Sequence, residues 1–373
     1  MKIAVNARML TQRKPGGIAT YARETLRRIT RAHPEHDFLF IVDRPFTRRA
    51  EYPSNVSVTR TFPSFHPLLW YPWFEWAVPL ILKKFAPDIF LSLDGFASLA
   101  ASVPTVDVIH DLNFHHYPAD MPAMISRYYN AYFPKYAKKA KGIATISEYS
   151  KRDIVTLYGE PPSKITLTWC GVSDAFLPLG DEDKKKIRGS LAGGAPYFLS
   201  VGAVHPRKNL SRLIKAFDQF KDRTNTELKL VLAGPSLFKT GELFQVWNQS
   251  LHKKDILFTG TVSNERLAAI YGGAEALLFV SYFEGFGIPA LEAMACEIPV
   301  VAANRTSLPE VCGQAARYVD PFSVDDIARA MEDIFYDEDL RAHLIETGRR
   351  QKENFSWDKT ADLLWQAVER GLS

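Results

Sequence analysis

The chain has 373 residues, 46% of them hydrophobic and 24% charged, with a formal net charge of +4. That length exceeds one ordinary core and predicts two domains, and the composition excludes an intrinsically disordered chain. No run reaches the roughly 18 apolar residues of a membrane helix; the nearest stretch, 67–82, carries Glu75 and is interrupted by Pro67, Pro72 and Pro79.

The opening Met-Lys-Ile-Ala-Val-Asn reads as a strand rather than a signal peptide. Strands are predicted at residues 2–7, 37–42, 56–59, 89–93, 103–109 and 142–146, with helices between them, the first over 18–31. Ser147 is expected to cap a helix over 148–158, because its hydroxyl can take an orphan amide. Gly, Pro and Asp accumulate over 172–181, which marks a linker, and a charged helix follows over 181–190. Further strands are predicted at 197–201, 228–233, 256–258, 276–279, 299–303 and 316–319, and an amphipathic helix at 357–372. Strands alternating with helices in both halves imply an α/β fold of two doubly wound sheets.

The chemically richest segment is Ser281-Tyr-Phe-Glu284-Gly285-Phe286-Gly287-Ile288-Pro289-Ala-Leu-Glu292. It follows a short apolar run, a buried parallel strand by pattern. Pro289 suits a first helical turn, and Gly285 and Gly287 allow close backbone approach to a ligand. A helix start favours an anion. Two carboxylates beside an anion need another partner, and sugar hydroxyls are the natural one, so the segment reads as a nucleotide-sugar site. Gly285, Gly287 and Ala290 also fit a dinucleotide fingerprint. That reading needs an acid after the next strand, where the sequence has Asn304-Arg305.

The spacing of Glu284 and Glu292 resembles the E-x7-E motif of retaining family-4 glycosyltransferases (glycosyl transferases group 1), enzymes of the GT-B fold. The segments Gly16-Gly17-Ile-Ala-Thr-Tyr-Ala-Arg, Val108-Ile-His110-Asp111-Leu, Ile146-Ser147-Glu-Tyr-Ser150-Lys151, Ser200-Val-Gly202-Ala-Val-His-Pro-Arg207-Lys208-Asn209-Leu210, Leu230-Val-Leu-Ala-Gly234-Pro and Ser307-Leu-Pro-Glu310-Val extend the likeness in order over nearly the whole chain. The resemblance implies two Rossmann-like domains facing across a cleft: an acceptor-side domain over 1–175 and a nucleotide-sugar-binding domain over 176–355. It also implies a C-terminal helix over 356–373 that crosses back to the first domain. A sugar, mannose as the first expectation, would pass from a nucleotide-diphosphate-sugar such as GDP-mannose to a hydroxyl of a glycan or lipid-linked acceptor, in cell-surface polysaccharide or glycolipid synthesis. A NAD(P)-dependent Rossmann oxidoreductase and a non-catalytic sugar-nucleotide-binding protein are the alternatives.

Site residues follow from the same likeness. His110 and Glu284 are the expected catalytic residues, with Asp111 a candidate partner for His110; the alternative is a structural histidine. Gly16, Gly17, Arg207, Lys208, Gly285, Phe286, Gly287, Ile288 and Glu292 are the expected donor-binding residues. Arg207 and Lys208 stand between a strand and a helix, where two cations suit a diphosphate; ordinary surface cations are the alternative. Gly16-Gly17 follows a basic loop, Gln12-Arg13-Lys14-Pro15, and a plain tight turn is the alternative there.

No metal or other cofactor is expected. The acidic triplets at 181–183 and 337–339 read as helix starts, and the sparse ligands near His110, His115 and His116 argue against a cation. Three scattered cysteines, Cys170, Cys296 and Cys312, suit a reducing cytoplasm. Residues 1–175 hold 22 Lys/Arg and 15 Asp/Glu, against 24 and 27 in the remainder. Such a balance suits an anionic acceptor or membrane surface. Three tryptophans lie among residues 70–76 and a lysine-rich stretch over 135–141, so peripheral contact with the inner face of an anionic membrane is an expectation beside simple packing on the sheet. No nucleic-acid partner is expected.

Overall fold

The computed structural model describes residues 1–12, 16–235 and 241–372. The chain divides into two compact units: Met1–Gly171 together with the segment from Trp357 onward, and Val172–Ser356. The first boundary falls a few residues before the expected 175, and the C-terminal helix belongs to the first unit.

The first unit is built on seven strands: β1 (Lys2–Asn6), β2 (Asp37–Val42), β3 (Val56–Arg60), β4 (Ile89–Ser92), β5 (Thr105–Val108), β6 (Gly142–Thr145) and β7 (Ile165–Leu167). Their order is β3-β2-β1-β4-β5-β6-β7, and every pairing is parallel. Residues of β4 and β5 are buried throughout, as a sheet covered on both faces requires. Pro104 has no amide to give the ladder; its carbonyl instead accepts from Phe90, and β5 starts one residue later. β7 has only three residues and was not anticipated.

Helix Gly17–Ala32 buries Ala19, Tyr21, Ala22, Leu26 and Ile29 against the sheet side of the unit. The terminal helix Trp357–Leu372 buries Leu364, Trp365 and Val368. It is tied to helix Gly17–Ala32 by Arg28 and Asp358 at 2.6 Å, and to β7 by Arg370 and Thr166 at 2.8 Å.

The aromatic segment divides its labour. Trp70, Trp73 and Phe74 join the core of the first unit, with the indole N–H of Trp70 donating to the Ser64 carbonyl at 2.9 Å. Phe65, Leu68, Tyr71 and Trp76 stay exposed.

The second unit has six parallel strands: β8 (Tyr197–Val201), β9 (Lys229–Ala233), β10 (Ile256–Gly260), β11 (Ala276–Phe279), β12 (Val300–Ala303) and β13 (Arg317–Val319). Their order is β10-β9-β8-β11-β12-β13. Both sheets are thus doubly wound. The winding reverses between β1 and β4 in one and between β8 and β11 in the other, and ligands bind outside the carboxyl ends of strands at such a switch point.

Both acidic triplets begin helices. The first opens helix Asp181–Ala192, and in the second Asp337 caps helix Glu338–Lys352, accepting from the Leu340 amide at 2.8 Å. Ser147 caps helix Glu148–Tyr158 by accepting from the Ser150 amide.

Candidate active site

The loops leaving β8 and β11 meet at the switch point of the second unit. A short turn, Pro206–Lys208, follows β8 and puts two cations there. The loop after β11 brings Glu284 to them. Lys208 Nζ donates to Glu284 Oε1 at 2.6 Å, and Arg207 Nη1 lies 2.7 Å from Oε2. Lys208 and Glu284 are both buried, 9% and 6% exposed, whereas Arg207 is half-buried.

Backbone ties hold the two loops in register. The Tyr282 amide donates to the Arg207 carbonyl, and Arg207 Nη1 donates to the Phe283 carbonyl at 3.1 Å. Asn209 turns the chain in the left-handed region at φ +60° and donates to the Val280 carbonyl at 3.1 Å and the Pro321 carbonyl at 2.5 Å.

The rest of the loop is fixed from β12. The buried hydroxyl of Ser307 shares its one hydrogen between the carbonyls of Glu284 and Phe286, at 2.9 and 2.7 Å, and Thr306 Oγ1 accepts from the Glu284 amide. Gly285 and Phe286 are buried within this loop, Phe286 edge-on to Phe355. Gly287 has φ +123°, and a Cβ there would lie 2.8 Å from Leu308, so the turn itself demands glycine. Helix Ile288–Ala295 starts at this turn with Pro289 in its first positions. Glu292 lies one turn in, where its Oε2 accepts from the Tyr271 hydroxyl at 2.8 Å.

Electrostatics set the three acids and bases apart. Burial alone would raise the Glu284 carboxyl, but Arg207 and Lys208 hold it down at about 2. Desolvation lowers the Lys208 ammonium to about 8 against the pull of Glu284. Burial raises Glu292 to about 7, opposed by the Tyr271 hydroxyl. Near neutral pH the Arg207–Lys208–Glu284 cluster therefore carries two positive charges and one negative in a poorly hydrated site. Such a site attracts an anion and offers a carboxylate to hydroxyl groups next to it.

In the first unit the switch point carries a different cluster. Asn6 Nδ2 donates to Asp94 Oδ1 at 2.8 Å and Arg8 Nε to Asp94 Oδ2 at 2.6 Å. The Arg8 guanidinium lies over Phe74 and Phe96, 4.8 and 4.3 Å from their ring centres. His110 follows β5 and is 8% exposed. Its Nε2 lies 2.9 Å from the Leu93 carbonyl, which can only accept, so Nε2 carries the hydrogen. Burial lowers its pKa, which keeps the ring neutral. Asp111 is not its hydrogen-bond partner: that carboxylate accepts from the Asn113 amide instead. Gly16 caps helix Gly17–Ala32, and neither Gly16 nor Gly17 has positive φ or any atom within 4 Å of a built Cβ. Of the preceding basic loop, Arg13, Lys14 and Pro15 lie outside the described residues.

His115 and His116 bond separately to Asn130 and Asp153, at 3.2 and 2.7 Å, and do not converge with His110. Cys170, Cys296 and Cys312 are free and buried. Sequence reading missed Tyr271, Asn209, Arg8 and Asp94 as members of these clusters. Asn209, beside the two cations in the quoted motif, carried the one usable signal.

The dinucleotide reading fails on topology. A dinucleotide fingerprint belongs to the first strand–helix turn of its sheet, whereas Gly285 and Gly287 follow β11, the fourth strand of theirs. Two all-parallel doubly wound units, the second with a buried acid–base cluster at its switch point, define a glycosyltransferase of the GT-B fold. Residues 15–176 match the model of Glycosyltransferase Family 4 and residues 181–351 that of Glycosyl transferases group 1. The chain belongs to this glycosyltransferase family. It is 31% identical over 255 residues to O-antigen chain mannosyltransferase B of Escherichia coli, covering 68% of this chain and 67% of that one. It is 28% identical over 318 residues to the serotype-specific mannosyltransferase WbdA of Escherichia coli, covering 79% of this chain but only 38% of that one. Sucrose-phosphate synthase from Thermosynechococcus elongatus shares the fold, with a TM-score of 0.78 at 19% identity over 99% of this chain and 98% of that one.

Proposed function

We propose that the chain transfers mannose from GDP-mannose to a hydroxyl of a glycan or lipid-linked acceptor, with retention at the anomeric carbon, in cell-surface polysaccharide or glycolipid synthesis. One observation carries the donor assignment: two cations, one buried and one half-buried, converge on a buried carboxylate where the loops after β8 and β11 meet. Mannose is supported by relatives named as mannosyltransferases.

Each residue has a role in this reading. Arg207 and Lys208 neutralise the departing diphosphate, a preorganised electrostatic contribution. Glu284 accepts from hydroxyls of the transferred sugar, and Glu292, oriented by Tyr271, accepts from the ribose. Backbone amides of the turn through Gly285, Phe286, Gly287 and Ile288 face the donor. Gly16 and Gly17 serve the donor phosphates, in keeping with their lack of any conformational need for glycine. His110 is neutral and presented at the reacting centre. The departing diphosphate helps to take the acceptor proton on the same face, so no protein carboxylate need act as nucleophile. The charge of Arg207 and Lys208 stands in place of a divalent cation.

The acceptor end is read as peripheral to a membrane, on its cytoplasmic face. Among the described residues no helix is long and apolar enough to cross one. The first unit does expose Leu68, Tyr71, Trp76 and Leu80. Tyr71 touches Tyr132, and Tyr132 touches Lys135, so the aromatic patch runs into a helix, Ala123–Lys139, that holds no acid and exposes Arg127, Lys135 and Lys138. Exposed aromatics beside unpaired basic charge suit an anionic lipid surface.

Thermal unfolding with GDP-, UDP-, dTDP- and ADP-sugars at equal concentration tests the donor, since a ligand that binds the folded chain raises its melting temperature more the tighter it binds. GDP-mannose should give the largest rise. A larger rise with another nucleotide would replace the donor, and no rise with any would remove the donor site.

A further inference from the structure

The connection between helix Gly17–Ala32 and β2 carries His33-Pro-Glu35-His36. It lies at the amino-terminal edge of the sheet, away from the carboxyl edge where ligands bind in such folds. His33 Nδ1 is 3.4 Å from Glu35 Oε1, and His36 Nε2 is 3.2 Å from the same oxygen. The three ligand atoms all lie within 4.8 Å of one another. A tetrahedral zinc site, with metal–ligand distances of about 2.0–2.2 Å, has ligand–ligand edges of roughly 3.3–3.6 Å. Two of the three edges, at 3.4 and 3.2 Å, are already close to that length.

The two imidazoles are also aligned. They are nearly parallel, 4° apart, with centroids separated by 5.8 Å, and both stack on Trp365 of helix Trp357–Leu372, at 3.9 and 5.3 Å. Rings on opposite faces of one indole would be about 7 Å apart or more, given a contact distance of about 3.5 Å per face. Both therefore lie side by side on one face, with ring nitrogens turned towards a shared carboxylate. Trp365 is held in turn by Glu369, which accepts from its indole N–H at 2.9 Å. His36 Nε2 faces Glu35 at 3.2 Å, while Nδ1 accepts from the Met1 amino group at 3.2 Å, so ligation through Nε2 requires the imidazole to move its hydrogen to Nδ1 and the Met1 ammonium to turn away.

The loop is held from below. The two hydrogens of Asn55 Nδ2 are shared among the carbonyls of Thr30, His33 and His36 at 3.1, 3.0 and 3.1 Å. The cluster also sits at the carboxyl end of a 16-residue helix, where the dipole favours a cation. His33 and His36 are half-buried and Glu35 is exposed, so a cation has access without the fold opening.

We propose that His33, Glu35 and His36 form a binding site for a divalent transition metal of the zinc class, with the remaining coordination positions open to water. Two imidazoles and one carboxylate are a ligand set suited to that ion. Binding would clamp the loop before β2 to the terminal helix through Trp365. It is a structural site, separate from the donor cluster and independent of sugar transfer.

Isothermal titration of the full chain with ZnCl2, after EDTA treatment and desalting, tests the proposal. Wild type should bind one equivalent, and zinc should raise its melting temperature. Glu35→Gln alters an exposed side chain and should still fold, yet lose more affinity than the roughly 10–100-fold that even outer-shell partners cost. His33→Ala should lose zinc binding as well. A variant with both His115→Asn and His116→Asn should bind like wild type. No binding by wild type, equal binding by Glu35→Gln, or loss confined to the His115/His116 variant would each overturn the assignment.

Discussion

The stem of Lys208 lies against Gly202: a Cβ built there would lie 2.8 Å from Lys208 Cε, and its φ of +141° favours glycine. The lysine stem passes over the end of β8, and its ammonium then meets the carboxylate delivered from β11. A residue six positions away thus bounds the space left to the charged side chain.

Lys208→Ala should therefore weaken both donor binding and turnover, by about 2–4 kcal/mol in kcat/KM, the range for a desolvated charge contact used in the transition state. Gly202→Ala should act in the same direction with the charge retained, by displacing the stem. Steady-state kinetics with donor titration checks both. Wild-type behaviour of Lys208→Ala would remove the cation from the site.

Glu292 gives a pH signature. Its carboxyl is raised to about 7 in the fold, against about 4.3 unfolded. The stability linked to a raised carboxyl is fully present below about pH 4.3 and is lost as pH rises through 7. Glu292→Gln removes that loss. The difference in unfolding free energy, variant minus wild type, should thus be more positive at pH 8 than at pH 5, by at most about 3 kcal/mol, and the melting-temperature difference should follow in the same direction. Glu284, held near 2, acts in the opposite sense: its contribution is lost only as pH falls from about 4.3 towards 2. An identical difference at pH 5 and pH 8 would mean that Glu292 titrates like a free carboxylate.

Turnover should persist in excess EDTA. In the proposed reaction the leaving diphosphate has Arg207 and Lys208 as its counter-charges, and the acidic triplets stand at helix starts. The zinc-class site proposed at His33 serves stability, so stripping it should lower the melting temperature rather than the rate. Loss of activity in EDTA with recovery on Mg²⁺ or Mn²⁺ would assign a catalytic cation.

The exposed patch makes a separate prediction. Trp76 is 63% exposed and Leu80 69%, so replacing both by Ala should cost little stability. Binding to vesicles containing anionic lipid should fall several-fold, and that of wild type should weaken with salt. Sedimentation with anionic and neutral vesicles measures it. Equal sedimentation of variant and wild type would leave the patch without a lipid role.

The strand pattern was largely legible because parallel strands buried on both faces read as unbroken apolar runs: β8 and β11 run over the predicted residues. β7, three residues long, was not among the predicted strands, although the equally short β13 was. The partners of the functional side chains were less legible. His110 bonds to the Leu93 carbonyl, 17 positions away, while its neighbour Asp111 accepts from the Asn113 amide. Tyr271 meets Glu292 from 21 positions away, and Arg8 meets Asp94 from 86. Local spacing carries no trace of such contacts, which only the winding of the sheet creates. The pairing of Arg207 and Lys208 with the single carboxylate of Glu284 was hidden for the same reason: the residue types were visible, but their 2.7 and 2.6 Å contacts were not.

The central claim is that the loops after β8 and β11 hold a nucleotide-sugar, with Glu284 on the sugar and Glu292 on the ribose. Steady-state kinetics of Glu284→Gln and Glu292→Gln, with nucleoside-diphosphate titration of each, tests it most directly. Contacts made only in the transition state change kcat, while uniform binding changes KM. Glu284→Gln should lower kcat strongly with a modest change in donor KM. Glu292→Gln should mainly raise donor KM and weaken nucleoside-diphosphate binding. The opposite pattern would reverse the donor in the site, and wild-type kinetics from both variants would contradict the assignment outright.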